Sequence, residues 1–276
     1  MQYDPIKRSL GNVFNKHPLF RIFFYKLLDL LLLRTWHIKK DIREWRDSEK
    51  ANERTDEWAI LDAGSGFGQY SYFLSGLNSK FNITALDVKE EQVADCNGFF
   101  KEIKRANVLF KTGDLTTYQE KEKYNLIVCV DVMEHILEDT KVFENFYFSM
   151  KKGAMLLIST PSDQGGSDVH EHDHGEESFI GEHVRDGYNI KDIVEKLMKS
   201  GFSKVDARYV YGTPGKISWR LSMKYPIQLL GITKLFFIIL PFYYLITFPF
   251  CLLLNYFDVN GKHTSGTGLV VKAWKK

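Results

Sequence analysis

The sequence predicts an α/β fold in which a mostly parallel sheet is covered by helices on both faces. Short apolar stretches alternate with amphipathic ones through the middle of the chain, and a glycine-rich turn follows the first apolar stretch directly. These stretches are apolar at nearly every position, which is typical of central parallel strands. With 44% hydrophobic residues, the chain can also bury a sizeable core.

The individual elements follow from local patterns in the sequence. Apolar runs predict strands at 58–63, 81–88, 107–114, 124–132, 153–160 and 203–210. Helical spacing predicts helices at 69–77, 90–105, 137–150 and 190–199. Asn189 is a suitable N-cap for the last of these helices, and Gly201 is a suitable stop. The alternation of strands and helices is that of βαβ units.

Charge and cysteine content restrict the partners and the compartment. The chain has 37 Lys and Arg against 35 Asp and Glu, so the overall charge of +2 does not indicate a nucleic-acid partner. Cys96, Cys129 and Cys251 are widely spaced, and two of them lie in apolar runs, which indicates a reducing compartment. The first residues lack the pattern of a secretory signal, so we expect a cytoplasmic location.

The glycine-rich turn lies in the stretch LDAGSGFG, residues 61–68. Glycines between a strand and a helix let the backbone approach a ligand closely, at the sheet edge where nucleotides bind. Gly64, Gly66 and Gly68 have the spacing G-x-G-x-G, and Gln69 occupies the position where the dinucleotide fingerprint has its last glycine. This spacing disfavours a pyrophosphate and favours a nucleoside cofactor.

These motifs resemble those of class I S-adenosylmethionine-dependent methyltransferases. LDAGSGFG is similar to the first motif of that family, and Asp87 is similar to the ribose-binding acid that ends its second strand. GDL at 113–115 resembles the segment beside the adenine, and VDVMEHI at 130–136 resembles the element after strand four. The four matches occur in the family's order.

The resemblance covers residues 58–210 and resumes at 266–276, which is similar to the family's antiparallel seventh strand. It implies a Rossmann-like seven-stranded methyltransferase sheet with an apolar helical insertion between strands six and seven. It also implies S-adenosyl-L-methionine as the cofactor and S-adenosyl-L-homocysteine as the product.

The resemblance also implies a set of cofactor-binding residues. They are Asp62, Gly64, Ser65, Gly66, Gly68, Asp87, Val88, Asp114, Leu115 and Asp131. In this family the glycine turn shapes the methionine pocket, and the acid at the end of strand two holds the ribose. Asp114 and Leu115 would flank the adenine, and Asp131 would lie near the methionine end.

Methyl transfer to a hydroxyl needs an aligned nucleophile and a base. His135 lies just after strand four, and Glu134 beside it could orient the imidazole or act as the base itself. The trio Asp131, Glu134 and His135 also resembles the metal-binding cluster of quinone-ring O-methyltransferases. A divalent metal is therefore a second interpretation, and a histidine packed at the start of a helix is a third.

The loop after strand five carries a second polar cluster within residues 167–188. Its candidate acceptor contacts and base are His170, His172, His174, His183 and Arg185. The ending H-x-R-x-G-Y resembles a segment that precedes the last major helix of bacterial small-molecule methyltransferases, which favours His183 and Arg185. A lid over the active site, a metal site and a solvated loop are the three interpretations.

Residues 212–265 form an insertion between predicted strands six and seven. Its stretch 235–254 carries no charge and is long enough to span a bilayer. Because the two strands must pair in one sheet, the insertion has to return on the side where it leaves. We expect a monotopic or re-entrant helical hairpin, broken at Pro241 and Pro249, with basic residues near lipid headgroups. A buried subdomain or dimer interface is the alternative.

The N-terminal stretch 17–34 has the pattern of a second interfacial helix. Its polar residues form one narrow stripe, namely Arg21, Tyr25, Lys26 and Asp29. A helix that covers the active site is the other interpretation. The charged segment 37–57 follows, so residues 1–56 are expected to form an N-terminal helix and linker before a methyltransferase domain at 57–211 and 266–276.

The expected function is methylation, at the inner membrane face, of a hydrophobic or lipid-like small molecule such as a quinone-like phenol. An oxygen acceptor is favoured because an acid and a histidine offer a base. A nicotinamide dehydrogenase would need the missing G-x-G-x-x-G turn, and a non-catalytic adaptor is not expected to retain Asp62, Asp87 and Asp114. Neither the charge balance nor any N-P-P-Y-like tetrapeptide supports a nucleic-acid methyltransferase.

Overall fold

The computed structural model describes residues 17–51, 58–165, 184–233 and 235–276. Within these ranges seven strands form one sheet with the order β3-β2-β1-β4-β5-β7-β6. The strands are β1 Trp58–Ala63, β2 Phe81–Asp87, β3 Val108–Thr112, β4 Tyr124–Val130, β5 Met150–Pro161, β6 Lys204–Val210 and β7 Gly268–Trp274.

The last strand runs opposite to the others. β7 pairs antiparallel with β5 and with β6, and its Val270 lies opposite both Ser159 and Arg208. β1 lies between β2 and β4 and is parallel to both. The strand order therefore reverses at β1 and β4, and ligands of open α/β sheets bind at such a point. The prediction of a Rossmann-like seven-stranded sheet with an antiparallel last strand is confirmed.

Helices pack on both faces of the sheet. Those of the main domain are α1 Pro18–Leu31, α2 Leu33–Ala51, α3 Gln69–Leu77, α4 Glu90–Glu102, α5 Asp139–Ser149 and α6 Ile190–Lys199. The core on one face includes residues of α1 to α4, and the core on the other face includes residues of α5 and α6. The strands are buried between these cores, which is why they are apolar at successive positions.

Helix α2 occupies much of the segment that the sequence predicts as a charged linker. Ile38, Ile42 and Trp45 have helical spacing and are buried in the core. The Trp45 ring packs edge-on against Trp58 of β1 at 5.2 Å between centroids. The prediction was wrong because the many charges of this segment mask a narrow apolar face, which suffices once a sheet covers it.

Helix α1 is oriented opposite to the expectation for an isolated interfacial helix. Arg21 and Tyr25 of its polar stripe are buried, and both donate hydrogen bonds to the carbonyl oxygen of Phe67 in the glycine turn. The apolar side chains Leu19 and Phe23 are exposed instead. Arg21 and Tyr25 face inward because they satisfy the turn's carbonyl and because Arg21 pairs with Asp95 of α4, whereas Lys26 of the stripe is exposed.

The insertion between β6 and β7 is a helical hairpin. Its elements are α7 Thr213–Trp219, a π-helical turn Arg220–Lys224, α8 Tyr225–Ile232 and α9 Phe236–Asn260. Tyr243 and Tyr244 of α9 donate to the carbonyls of Leu221 and Ser222, and the Ser218 hydroxyl donates to the carbonyl of Cys251.

Helix α9 passes through Pro241 and Pro249 without interruption, which corrects the expectation that these prolines break the run. The elements from α7 to α8 form the first arm of the hairpin. Contacts between α9 and this arm lie on both sides of Pro249, through Tyr244 and Cys251. These contacts hold the two halves of the helix in line although each proline lacks one backbone donor.

Asp258 joins the hairpin to the main domain. Its carboxylate is fully buried and accepts hydrogen bonds from His37 Nε2 at 2.9 Å, from the Tyr211 amide at 3.1 Å and from the Gly215 amide at 3.0 Å. The donors come from α2, from the end of β6 and from α7. One side chain therefore fixes the hairpin relative to the sheet.

Candidate active site

The glycine turn brings the ends of β1 and β2 together. The amides of Gly64 and Ser65 donate to the carbonyl of Leu86 at 2.8 and 2.9 Å, and the Gly66 amide donates to Asp87 Oδ2 at 2.8 Å. Asp87 Oδ1 accepts from the Lys89 amide at 3.0 Å. Asp87, the residue predicted to bind the ribose, thus contacts the glycine turn that is predicted to shape the methionine pocket.

The three glycines of the turn have left-handed backbones, with φ of 76°, 50° and 78° for Gly64, Gly66 and Gly68. A Cβ on Gly64 would lie 2.3 Å from Val132 Cγ2, and one on Gly68 would lie 2.8 Å from Phe110 Cζ. The turn therefore also touches the chain just after β4. Glycine is required at 64 and 68 both because φ is positive and because a Cβ would collide with a neighbouring side chain.

Two features of the turn fit a nucleoside cofactor. A Cβ on Gly66 would meet no atom within 4 Å, so the backbone there faces open space. The hydroxyl oxygen of Ser65 is buried and has no hydrogen-bond partner among the residues that the structure describes. Buried polar atoms are nearly always paired, so this hydroxyl is suited to bind a ligand. The turn therefore has both the space and the polar group that a nucleoside needs.

Asp62 lies just before the glycine turn, near the end of β1. Its carboxylate is buried and accepts a hydrogen bond from the Ser71 hydroxyl of α3 at 2.6 Å. Burial raises the pKa of Asp62 to about 6, although the Ser71 bonds act in the opposite direction. The acid thus couples the end of β1 to the helix that the turn opens.

The other predicted cofactor residues have mixed surroundings. Val88 is exposed just after β2. Asp114 Oδ1 accepts from the amide and the hydroxyl of Thr116, so this carboxylate stabilises its own turn. Leu115 packs in the core, and its carbonyl accepts from the Asn145 side chain. The adenine contacts of Asp114 and Leu115 stay predictions.

Strand β4 ends at Val130, two residues earlier than the sequence predicts, and Asp131 follows it directly. Its left-handed backbone, with φ of 52°, terminates the strand. Such a conformation is costly for a residue other than glycine and is found at functional sites. The carboxylate forms an ion pair with Arg34 of α2 and is about a third exposed. Asp131 therefore lies at the sheet edge beside a cation.

Arg34 was not a candidate from the sequence, because nothing in the sequence connects α2 with the end of β4. Burial opposes its charge, yet Asp131, Tyr70 and Tyr211 outweigh burial and raise its pKa. The amide of Arg34 donates to the Tyr211 hydroxyl at 3.0 Å. Tyr211, a non-glycine residue with φ of 56°, is the other functional candidate that the sequence did not indicate.

Glu134 and His135 lie together in a short 3₁₀ turn, Met133–His135. Glu134 is buried and accepts a hydrogen bond from the Thr160 hydroxyl at 3.1 Å. Burial and the nearby Asp131 raise the pKa of Glu134 to about 8. A carboxylate whose pKa is raised accepts a proton more readily than an ordinary carboxylate, which suits a general base. His135 is half-buried beside it.

Arg185 holds the segment after the polar loop against the chain that follows β4. Its guanidinium forms an ion pair with Asp139 and donates to the carbonyls of Ile136 and Leu137. These contacts position the loop's end, and acceptor binding by Arg185 stays a prediction. His170, His172, His174 and His183 lie outside the described residues.

No group of three or more histidine, cysteine or acidic side chains suited to a metal ion occurs among the residues described. Asp131 is paired with Arg34, and Glu134 is held by Thr160. The arrangement of Asp131, Glu134 and His135 therefore gives no metal-binding group in this part of the chain.

Comparisons with known proteins agree with this geometry. A family model described as a methyltransferase domain matches residues 54–202, more than half of the chain. The phosphoethanolamine N-methyltransferase 2 of Haemonchus contortus, solved in complex with S-adenosyl-L-methionine, superposes with a TM-score of 0.55 and 16% identity. The match covers 83% of this chain and 51% of that one, and it shows that the fold is shared.

Among curated relatives, (S)-coclaurine N-methyltransferase of Papaver somniferum is 28% identical over 37% of this chain. The ubiquinone biosynthesis O-methyltransferase of Rickettsia akari (strain Hartford) is 24% identical over 40% of it. The matches span 29% and 42% of these relatives, so the chain covers less than half of their length. The chain belongs to the methyltransferase-domain family and has the fold of the S-adenosylmethionine-dependent methyltransferases.

Proposed function

We propose that this protein is an S-adenosylmethionine-dependent methyltransferase that methylates an oxygen of a hydrophobic small molecule at a membrane surface. The observation that carries the proposal is the apolar hairpin, whose Asp258 accepts from the Tyr211 amide. The Tyr211 hydroxyl accepts in turn from the amide of Arg34, which pairs with Asp131 at the end of β4. The curated relatives are named as O- and N-methyltransferases of small molecules, which supports this reaction class.

The chain's own residues account for cofactor binding. The cofactor supplies an electrophilic methyl group when it is bound. Asp87 suits the ribose hydroxyls, and Gly66 and Ser65 suit the space and hydrogen bonding of the methionine portion. Asp131 offers a carboxylate for the cofactor's ammonium group. Val88, Asp114 and Leu115 are proposed to lie around the adenine.

Glu134 is the preferred base, with His135 as the second candidate. A carboxyl whose pKa is raised to about 8 takes up a proton more readily than an ordinary one, and this suits removal of a hydroxyl proton. His183 stays a proposed base, and His170, His172, His174 and Arg185 stay proposed acceptor contacts. An oxygen acceptor is preferred because the site offers this base beside Asp131.

Membrane docking is proposed from the hairpin's surface. Of the described helices, α9 alone is long and apolar enough to cross a bilayer, and 6% of its most apolar stretch is buried. From Tyr225 to Leu254 the sequence has a single charged residue, Lys234. Exposed large apolar side chains on this hairpin include Ile232, Leu235, Phe237, Ile238, Phe242, Leu245 and Ile246. Soluble monomers rarely expose so large a contiguous apolar patch.

The charge distribution favours a lipid surface over a second copy of the chain as the occupant. Lys216, Arg220 and Lys224 lie on the first arm near the sheet, whereas the far end of the hairpin is apolar. Basic residues beside an apolar segment match anionic headgroups next to the acyl region. Helix α1 also has exposed apolar residues, among them Leu19 and Phe20.

Two measurements test the proposal. Calorimetry of the detergent-purified protein should detect binding of S-adenosyl-L-methionine and S-adenosyl-L-homocysteine but not of NADH. Labelled cofactor and a membrane lipid extract should then yield an extractable methylated product. A folded protein that binds neither sulfur nucleoside would instead favour the non-catalytic adaptor.

Flotation with anionic phospholipid vesicles tests the docking. Leu245→Glu should weaken vesicle binding by about tenfold or more, since an acidic side chain is costly in the acyl region. Leu137→Glu is the matched control, because both leucines are 76% exposed but Leu137 lies outside the hairpin. Equal flotation of both variants, or dimers that do not float, would favour an interface between two copies of the chain.

A further inference from the structure

Three residues of helix α1 contact the glycine turn and the start of the helix that follows it. Arg21 and Tyr25 donate to the carbonyl of Phe67, and Asp29 accepts from the Gln69 side chain at 2.8 Å. Residues four apart lie on one face of a helix, so these three contacts come from a single stripe. Arg21, Tyr25 and Asp29 form the α1 clamp.

Arg21 is the centre of the α1 clamp. It is 3% exposed, and its guanidinium donates to the Phe67 carbonyl at 3.0 Å and to Cys96 Sγ at 2.9 Å. It also pairs with Asp95 of α4 and donates through Nε to the Tyr25 hydroxyl at 2.8 Å. This buried cation therefore connects α1, α4 and the glycine turn.

The contacts of Arg21 extend to Gly66 through Cys96. The Cys96 thiol donates to the Gly66 carbonyl oxygen at 3.5 Å. Burial raises the pKa of this thiol to about 12, so it stays protonated at neutral pH and can donate. The carbonyls of Gly66 and Phe67 are thus held by α1 and α4, while the Gly66 amide donates to Asp87 on β2.

The glycines that open the turn also leave its backbone free to change conformation. Gly66 and Gly68 flank Phe67, and glycine adopts positive and negative φ with similar ease. A peptide unit between such residues can rotate unless its carbonyl is held. A turn that is ordered before the cofactor arrives binds it more tightly, because the ligand does not have to supply the ordering free energy.

We infer that Arg21 is a positioning residue of the cofactor site, which sets the affinity for the cofactor by holding the backbone of residues 66–67 in its binding conformation. The inference rests on the proposed function, and Arg21 acts through the turn. Gln69 contributes to the same arrangement. It occupies the position where the dinucleotide fingerprint has a glycine, and a glycine could not donate to Asp29.

Calorimetry with S-adenosyl-L-homocysteine and hydrogen exchange of the whole chain test this inference. Arg21→Met should weaken binding about tenfold, the factor expected when the ligand has to order about one backbone residue. The amides of residues 64–68 should exchange faster in the unliganded variant. S-adenosyl-L-homocysteine should slow their exchange by a larger factor in Arg21→Met than in the unaltered protein. A residue that only stabilised the fold would not produce this difference.

Two milder variants keep the test decisive if Arg21→Met folds poorly. Arg21→Lys retains a charge for Asp95 but lacks the planar fork that also reaches Phe67, so it should recover only part of the affinity. Tyr25→Phe should weaken binding by a smaller factor than Arg21→Met, because Arg21 still donates to Phe67.

Asp41→Asn is the matched control. Asp41 of α2 is 3% exposed and pairs with Arg208 of β6 and Lys272 of β7, at the other end of the sheet from β2. This variant alters a buried ion pair of the N-terminal helices but should leave cofactor affinity and the exchange of residues 64–68 unchanged. Unchanged affinity in Arg21→Met, or an equal loss in Asp41→Asn, would overturn the inference.

Failure of the inference is distinguishable from failure of the proposed function. An unaltered protein that binds no sulfur nucleoside would refute the proposed function, and this inference with it. An unaltered protein that binds S-adenosyl-L-homocysteine with an affinity that Arg21→Met preserves would refute the inference alone.

Discussion

The Gly66 amide donates a hydrogen bond to Asp87 Oδ2 over 2.8 Å, which joins the glycine turn to the end of β2. The contact places Asp87, the residue predicted to bind the ribose, beside Gly66. The backbone of Gly66 has a φ of 50° and faces open space. The two motifs are far apart in the sequence, and the parallel pairing of β1 with β2 brings them to the same edge. Cofactor affinity should therefore depend on both residues.

Asp87→Ala should weaken binding of S-adenosyl-L-homocysteine by about 2–3 kcal/mol, because hydrogen bonds from two ribose hydroxyls to a charged group are lost. Calorimetry measures the change. The affinity of Asp87→Asn should lie between those of the unaltered protein and Asp87→Ala, since the amide oxygen of the asparagine can still accept from the Gly66 amide. Glu91→Ala, an exposed acid in the first turn of α4, is the control. Unchanged affinity in Asp87→Ala would remove this carboxylate from the cofactor site.

Alanine substitutions in the glycine turn should separate folding from binding. Gly64→Ala and Gly66→Ala each place a side chain at positive φ, which costs about 1–2 kcal/mol. Only at Gly64 does the new Cβ also collide with Val132, so urea denaturation should show a larger loss of stability for Gly64→Ala. Gly66→Ala should instead mainly lower affinity for S-adenosyl-L-homocysteine. The opposite order of stabilities would contradict the turn geometry.

The raised pKa of Glu134 predicts a pH dependence of stability. A carboxyl whose pKa rises from 4.5 to about 8 on folding is kept neutral by the fold, so its ionisation opposes folding. Its contribution to the free energy of unfolding should be constant below pH 4.5, fall as the pH rises, and level off above about 8. Glu134→Gln should remove this decrease, which urea denaturation at several pH values would detect.

The same residue predicts a pH dependence of turnover. If Glu134 is the base, turnover should rise towards its pKa of about 8, and Glu134→Gln should lose both that rise and most of the rate. Cofactor affinity should stay unchanged in the variant. His135→Gln is the matched comparison, because it alters the neighbouring candidate and retains Glu134. If the rise persisted in Glu134→Gln and vanished in His135→Gln, the histidine would be the base.

Asp258→Ala should destabilise the protein by about 3–5 kcal/mol, because the Tyr211 and Gly215 amides and His37 would lose their buried acceptor. Urea denaturation measures the loss. Asp206→Ala is the control, since Asp206 is an exposed acid on β6 and its removal should change stability by less than about 0.5 kcal/mol. A loss as small as the control's would show that the hairpin is not anchored through Asp258.

The strands, helices α3 to α6 and the glycine turn could be predicted from the sequence because they depend on neighbouring residues, whereas helix α2 was missed. Apolar runs set strands 58–63 and 153–160, and the glycines at 64, 66 and 68 are needed wherever a backbone adopts positive φ. The seven-stranded order followed from the resemblance of successive motifs to one family. Boundaries shifted where a single residue, such as Asp131, has an unusual backbone conformation.

Only the tertiary structure decided which surfaces meet. Whether the stripe of Arg21 and Tyr25 faces water or protein depends on a buried carbonyl of Phe67, which lies far along the chain. The pairing of Arg34 with Asp131 and the anchoring of the hairpin by Asp258 likewise join separate elements. The sequence by itself determined the fold class and the cofactor motif, since backbone conformation and periodicity are local properties. Ion pairs and buried hydrogen bonds depend on packing, so the residues that join the hairpin to the candidate site emerged only once the chain was folded.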